Sequence, residues 1–414
     1  MATDAVWWHL LPRGLTGDVR RLLAGKGVRA FADGAVAIIL PTYLLQLGYS
    51  PFEIGIVITS TLLGSALATL AVGFLAHHYS RRWLLWVACV LMAATGIGFA
   101  LTHQYWPILV IAFLGTLNPS SGDVSLFLPI EQTMLAETTK SSQRTAVFAR
   151  YSLAGTLMGA VGTLAASLPS VVERQFGLSS LTALQLAFWG YGAIGLFALL
   201  LYWPLSPSVE AMPADAPKTV LSKSRGIVLG LAALFSLDAF AGGFAVQSLL
   251  TLWLYEAYHL STATAAAILF WAGICTAISV LLSVPLAERF GLINTMVFTH
   301  LPANAFLILV PFAPNLTIAI SLLLARSALS QMDVPARTSY VMAVVTPAER
   351  PAAASLTAVP RSLATALSPV IVGYLLTIST FGWPLIICGG LKAIYDLLLL
   401  WRFRRVNPEH DRTT

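Results

Sequence analysis

Residues 73–80, GFLAHHYS, and residues 284–291, VPLAERFG, read as two copies of one short loop. Sliding the chain on itself by 210 to 211 residues superposes them, and the same shift lays Asp123-Val124 on Asp333-Val334 and SLAGT (152–156) on SLATA (362–366). Between the copies runs PLSPSVEAMPADAPKTVLSKSR, residues 204–225, a polar, proline-rich stretch of the kind that joins domains. The chain is therefore a tandem repeat, and both copies must bury the same kind of surface.

That surface is lipid. Hydrophobic residues make up 57% of the chain and charged ones 10%, where a soluble domain carries roughly 25% charged; the mean hydropathy is +0.79. A membrane-crossing helix needs about 20 apolar residues. Runs of that length predict spans over 28–47, 52–76, 83–103, 106–136, 144–168 and 181–203, then 227–255, 262–287, 292–312, 315–345, 351–378 and 382–403. The expected fold is an all-α polytopic membrane protein of twelve transmembrane helices. An N-terminal segment (1–27) precedes a six-helix bundle (28–203), a linker (204–226), a second six-helix bundle (227–403) and a tail (404–414). Six is even, so both copies enter the membrane in the same orientation, related by a pseudo-twofold axis along the membrane normal.

The net charge of +6 does not point to nucleic acid, because the basic residues alternate with the loops. Arg13, Arg20, Arg21 and Lys26 precede the first span, Arg81 and Arg82 follow the second, and Lys218, Lys223 and Arg225 follow the sixth, whereas the alternate loops hold only Arg174. The positive-inside rule then predicts cytoplasmic termini in a multi-pass plasma (inner) membrane protein. No cleavable signal precedes the first span. VRRLLAGK (19–26) reads as a short interfacial helix or a frayed tail. Cys89, Cys275 and Cys388 fall in three different spans, without metal or disulfide spacing.

GFLAHHYSRR (73–82) resembles the signature Gly-x-Leu-Ala-Asp-Arg-x-Gly-Arg-Arg/Lys of the major facilitator superfamily, and PLAERFG (285–291) resembles its second copy. The resemblance extends over essentially the whole chain. It implies a substrate site at the midplane between the halves, and a loop (Gly73, His77, Arg81, Arg82, Glu288, Arg289, Gly291) whose charges hold the inward-closed state. The first copy departs from the signature: His77 stands for the acid, His78 for the first arginine and Ser80 for the glycine.

Charges inside the spans are the candidate site, since an ionised side chain at the bilayer centre costs at least about 2.5 kcal/mol and must face a partner or a cavity. Asp33 lies on span one, Asp123 and Glu131 on span four, Asp238 on span seven and Asp333 on span ten. These are the first and fourth helices of each copy, which line the cavity in the family it resembles. Pro119, Gly122 and Pro129 predict a kink or unwinding in span four, and Pro335 repeats the device in span ten. The candidate cations are Arg150, Arg326, Arg337 and Arg361. One-turn spacing predicts local ion pairs Arg29–Asp33, Asp333–Arg337 and Lys392–Asp396. With no cation near Asp123 or Asp238 in sequence, these two are expected to exchange protons, and Glu131 to pair with Arg150 as a cytoplasmic-side gate. Trp189, Tyr191, Gln247, Trp253 and Tyr255 are candidate ligand contacts or interfacial aromatics. Gly155, Gly159 and Gly162 form a small-residue face for helix packing.

The functional expectation is a secondary active transporter exporting a small molecule in exchange for protons by alternating access. The alternative is a proton-coupled importer of an organic anion or nutrient, which gains if two or more of the arginines face the cavity unpaired. A non-transporting receptor or sensor, a different class, would call for a soluble output domain. No nucleophile elbow, phosphate loop or ligand cluster marks an enzyme, and no cofactor or metal is expected. The expected driving force is an ion gradient, that of protons; the expected partners are the bilayer and the substrate, with no nucleic acid and a monomeric functional unit.

Overall fold

A computed structural model describes residues 15–75, 78–120, 125–139, 141–210, 224–345 and 349–403. These residues are helical, without a strand among them. The first copy forms α1 (Gly17–Gln46), α2 (Pro51–Leu75), α3 (Arg81–Leu101), α4 (Tyr105–Leu114), α5 (Phe127–Thr138), α6 (Ser141–Ala165), α7 (Leu168–Phe176) and α8 (Ser180–Tyr202). The second forms α9 (Arg225–Gly243), α10 (Gln247–Tyr258), α11 (Thr262–Phe290), α12 (Leu292–Leu309), α13 (Leu316–Leu329), α14 (Asp333–Ala343), α15 (Arg350–Ile378) and α16 (Trp383–Phe403).

Ten helical segments among the described residues are long and apolar enough to cross a membrane, and α4 is a shorter apolar helix. Their outer faces carry large exposed apolar side chains, such as Trp106, Leu200, Phe298 and Trp401. The polar and charged residues turn inward. This inversion of the soluble pattern is what a lipid solvent requires.

The two expected spans outside those ten are each divided. Span four becomes α4 and α5, separated by residues 115–126, and span ten becomes α13 and α14, separated by residues 330–332. Pro129 and Pro335 sit in the first turn of α5 and of α14, where a missing N–H costs no helical hydrogen bond. Span seven, expected to be continuous, also breaks, between α9 and α10 at residues 244–246. Two further expectations are corrected. VRRLLAGK is neither separate nor frayed but the first turns of the 30-residue α1, whose end Thr16 caps by accepting from Val19 N–H. The loop after span five contains α7, an amphipathic helix carrying Arg174.

The start of α1 and the segment after α8 lie together, Ser206 donating to Asp18 at 2.5 Å, and the start of α9 meets the end of α16. This is the termini end of the molecule. Among the described residues, the hydrogen bonds joining the two halves lie toward the opposite, far end. Thr42 donates to Tyr255 (2.9 Å), Ser248 reaches the carbonyls of Ala37 (2.7 Å) and Pro119 (2.9 Å), and Thr163 reaches that of Ala266 (3.3 Å). Gly55 and Gly373 bring α2 and α15 so close there that a Cβ on Gly55 would lie 2.6 Å from the Pro369 carbonyl oxygen. The halves are sealed at the far end.

Candidate functional site

Two buried ionic clusters occupy the interiors of the halves. In the first, Glu131 stands on α5 with no exposed surface. Arg29 of α1 donates to its carboxylate, as do the hydroxyls of Tyr202, at the end of α8, and Tyr151 of α6, the last at 2.5 Å. The Arg29 Nε also donates to Tyr202 (3.2 Å), and its guanidinium lies 3.8 Å from the Phe127 ring centre. Four helices thus meet at one ion pair. Tyr202 reaches in because α1 has glycine at position 25, where a Cβ would fall 2.1 Å from the tyrosine oxygen.

This corrects two expectations. Glu131 takes Arg29 rather than Arg150, whose guanidinium donates to the Ala146 carbonyl at 2.9 Å. Arg29 in turn makes no ion pair with Asp33, one turn along α1, although its charge and that of Lys26 act on that carboxylate from a distance. Among the described residues, the Asp33 carboxylate accepts only a 3.4 Å hydrogen bond from Tyr191 of α8, whose hydroxyl also contacts the Thr116 carbonyl at 3.3 Å. The physical reason is reach: for the one Arg29 guanidinium, the Asp33 carboxylate one turn along the same helix competes poorly with the Glu131 carboxylate arriving head-on from α5.

In the second half, Asp238 of α9 is 4% exposed and lies between Arg337 of α14 (2.9 Å) and Lys392 of α16 (2.6 Å). Arg337 also bridges to Asp333, one turn before it, at 3.2 Å. So Asp238, without a cation in its own segment, acquires two from other helices. The expected Lys392–Asp396 pair does not form, because Lys392 turns to Asp238. Asp396 accepts instead from Asn304 (2.8 Å) and pairs with His300 (3.0 Å), both on α12.

The remaining candidates are dispersed. Arg361 lies on α15 within the electrostatic range of Asp238. Arg326, half-buried on α13, approaches Cys388 and has no carboxylate at ion-pair distance among the described residues. Asp123 and His77 lie outside the described residues. Gly73 is exposed in the last turn of α2, and Glu288 and Arg289 are exposed at the end of α11, where Gly291 (φ +84°) alone joins it to α12. Arg81 and Arg82 open α3, and their backbone N–H groups donate to Glu210 at 2.8 and 3.1 Å. A carboxylate from the linker thus holds that helix N-terminus, as its dipole favours.

Of the aromatic candidates, Tyr191 touches Asp33, Tyr255 joins the far-end seal, and Trp253 donates to the Thr380 carbonyl at 3.1 Å. His300, Asn304, Tyr151 and Tyr202 escaped the sequence reading. The signal for the first two was present: a histidine and an asparagine four residues apart in an apolar span face one way and need a partner.

A tandem of helical repeats, broken helices and buried charges on the first and fourth spans has a counterpart among known proteins. The family model of the Major Facilitator Superfamily matches residues 22–325 and 232–414. The chain belongs to this superfamily. A membrane protein of Saccharomyces cerevisiae, YJR124C, is 23% identical over 426 residues, covering 95% of each chain. The arabinose-proton symporter of Bacillus subtilis is 26% identical over 182 residues, 43% of this chain and 37% of that one. Among solved structures, a D-xylose-proton symporter superposes with TM-score 0.73 at 17% identity, covering 93% of this chain and 97% of the other. A bacterial homologue of the human lysosomal transporter Spinster, in an inward-facing and occupied conformation, superposes with TM-score 0.71 at 14% identity, covering 93% and 96%. These superpositions establish the transporter fold. The chain is a multi-pass membrane protein of this transporter superfamily.

Proposed function

We propose that this transporter couples the movement of a small organic solute to protons, with Asp33 as the carboxylate that exchanges the proton. The observation that carries the reading is a difference between acids. Among the described residues in the bundle interior, Glu131, Asp238 and Asp333 have cations at ion-pair distance and Asp396 has His300, while Asp33 has only the long contact from Tyr191. An acid clamped by cations must break its bridges to take a proton. Asp33 has one weak hydrogen bond to give up. Asp123 is retained as a second candidate on its sequence position, and Asp238 is reassigned to the structural network.

Import in symport is the favoured direction. Asp33 in one half and Arg326 in the other are charges without an ion-pair partner among the described residues, of opposite sign. A proton on the first and an anionic group on the second load together without adding net charge to the moving protein. A guanidinium suits carboxylate or phosphate, so the substrate class is a small organic anion. Among the described residues only Arg326 of the four arginines meets the unpaired condition, one short of the two that would favour an anion on that ground, so the anion assignment rests on the opposite charges of Asp33 and Arg326. With both termini cytoplasmic, as the loop charges indicate, the far-end seal corresponds to an inward-facing state.

Proton-linked efflux, the other reading, draws on an apolar pocket of about 270 Å³ between α1, α7 and α8, lined by Phe31, Val36 and Tyr191 among others. A panel of organic anions, sugars and nucleosides as sole nutrients, together with toxic compounds, separates the two. Cells expressing the protein should gain growth on, or sensitivity to, an anion, and lose it with Asp33→Asn. Resistance to lipophilic compounds would reverse the direction.

A further inference from the structure

The second half contains a buried polar group that neither the ionic network nor the transport reading uses. His300 and Asn304 stand one turn apart on α12, 3% and 2% exposed, and both address Asp396 of α16, which has no exposed surface. Asp396 is itself one turn from Lys392, whose ammonium holds Asp238 of α9. We propose that His300 and Asp396 form a second proton-binding site, which takes up and releases one proton and thereby controls how firmly Lys392 clamps α9 to α16.

The argument is one of competition. With His300 neutral, Asp396 is a carboxylate one turn from Lys392 and draws the ammonium away from Asp238. With the histidine protonated, the carboxylate is satisfied by an imidazolium and a side-chain amide, and Lys392 is left to Asp238. The clamp therefore tightens on protonation. Its target is mechanically apt, because α9 ends at the break at residues 244–246, directly before the Ser248 contacts of the far-end seal. Histidine is the side chain whose charge changes at cellular pH.

Lys392 and Tyr395 on α16 and Asp238 on α9 act directly on the pair, Asp333 and Arg337 on α14 act on Tyr395 beside it, and Arg361 on α15 acts on Asp238. Arg326 on α13 and Tyr340 on α14 are the other titratable groups on helices packed against α12. Within the linked chain, Asp238 and Asp333 balance Arg337 and Lys392. The charge of the His300–Asp396 pair is thus the variable one.

The test is independent of substrate and of the assignment of Asp33. A full-length variant retaining only His300, the other six histidines replaced, is labelled with ¹⁵N-histidine in lipid nanodiscs and followed by NMR from pH 5 to 9. One titration is expected, its midpoint moved down by about one pH unit or more in Asp396→Asn and unmoved in Asp33→Asn. A ring that stays in one protonation state throughout would overturn the proposal, and so would a midpoint indifferent to Asp396. If Asp396→Asn fails to fold, Lys392→Met replaces it: losing a nearby cation must raise the midpoint, and an unchanged midpoint refutes the link to the clamp.

Discussion

The two halves build the same bridge with opposite signs. In the first, an arginine on α1 meets an acid on α5; in the second, an acid on α9 meets an arginine on α14. Arg29 and Asp238 lie near the repeat offset, and Glu131 and Arg337 lie within about a turn of it. The comparison teaches that the repeat preserves the location of a buried ion pair, between the first helix and the segment after the break in the fourth, rather than the charge at either position. A broken helix in a membrane needs an anchor for its second piece, and an ion pair of either polarity supplies one. The halves differ in redundancy. Glu131 has one cation and two tyrosine hydroxyls, whereas Asp238 has two cations.

The largest effect is expected where redundancy is least. Glu131→Ala leaves Arg29 buried without a carboxylate and should cost about 3–5 kcal/mol, seen as a fall in the thermal unfolding midpoint of the purified protein and in its yield. The double exchange of Arg29→Glu with Glu131→Arg gives the first half the polarity of the second. It should recover part of that loss, and no recovery would break the comparison.

A smaller effect is expected in the second half. Lys392→Met leaves Asp238 its bond to Arg337 and should cost about 1.5–3 kcal/mol in the same unfolding measurement. A loss equal to that of Glu131→Ala would show that the two cations are not redundant. The smallest concerns the seal. Ser248→Ala removes a hydroxyl bridging the halves, worth about 1 kcal/mol, and should shift the population toward far-end opening roughly fivefold. Spin labels at Gln46 and Ala263 would report it as a longer distance component.

Much of this architecture was legible in the sequence. Apolar run lengths placed the long helices, and the prolines at 119, 129 and 335 marked the breaks in the fourth and tenth spans. The break after α9 was not legible, because GGFAV at 242–246 lacks proline and reads as continuous apolar chain. Of the ion pairs, Asp333–Arg337 followed from its one-turn spacing, yet the same rule failed for Arg29–Asp33 and Lys392–Asp396. The rule counts only neighbours on one helix. Arg29 and Lys392 were each taken by an acid from another helix, 102 and 154 residues away in the chain. Which long side chain wins is decided by packing between helices, and a single helix does not contain that information.

The central claim is that Asp33 exchanges the coupling proton, and it is tested most directly in proteoliposomes with a trapped pH dye. A solute selected from the growth panel is added outside. Wild-type protein should carry solute and protons inward together, acidifying the lumen. Asp33→Asn, which mimics the protonated acid, should still exchange labelled for unlabelled solute while losing the lumenal acidification and the accumulation driven by a pH gradient. Proton movement and gradient-driven accumulation undiminished in Asp33→Asn would contradict the account.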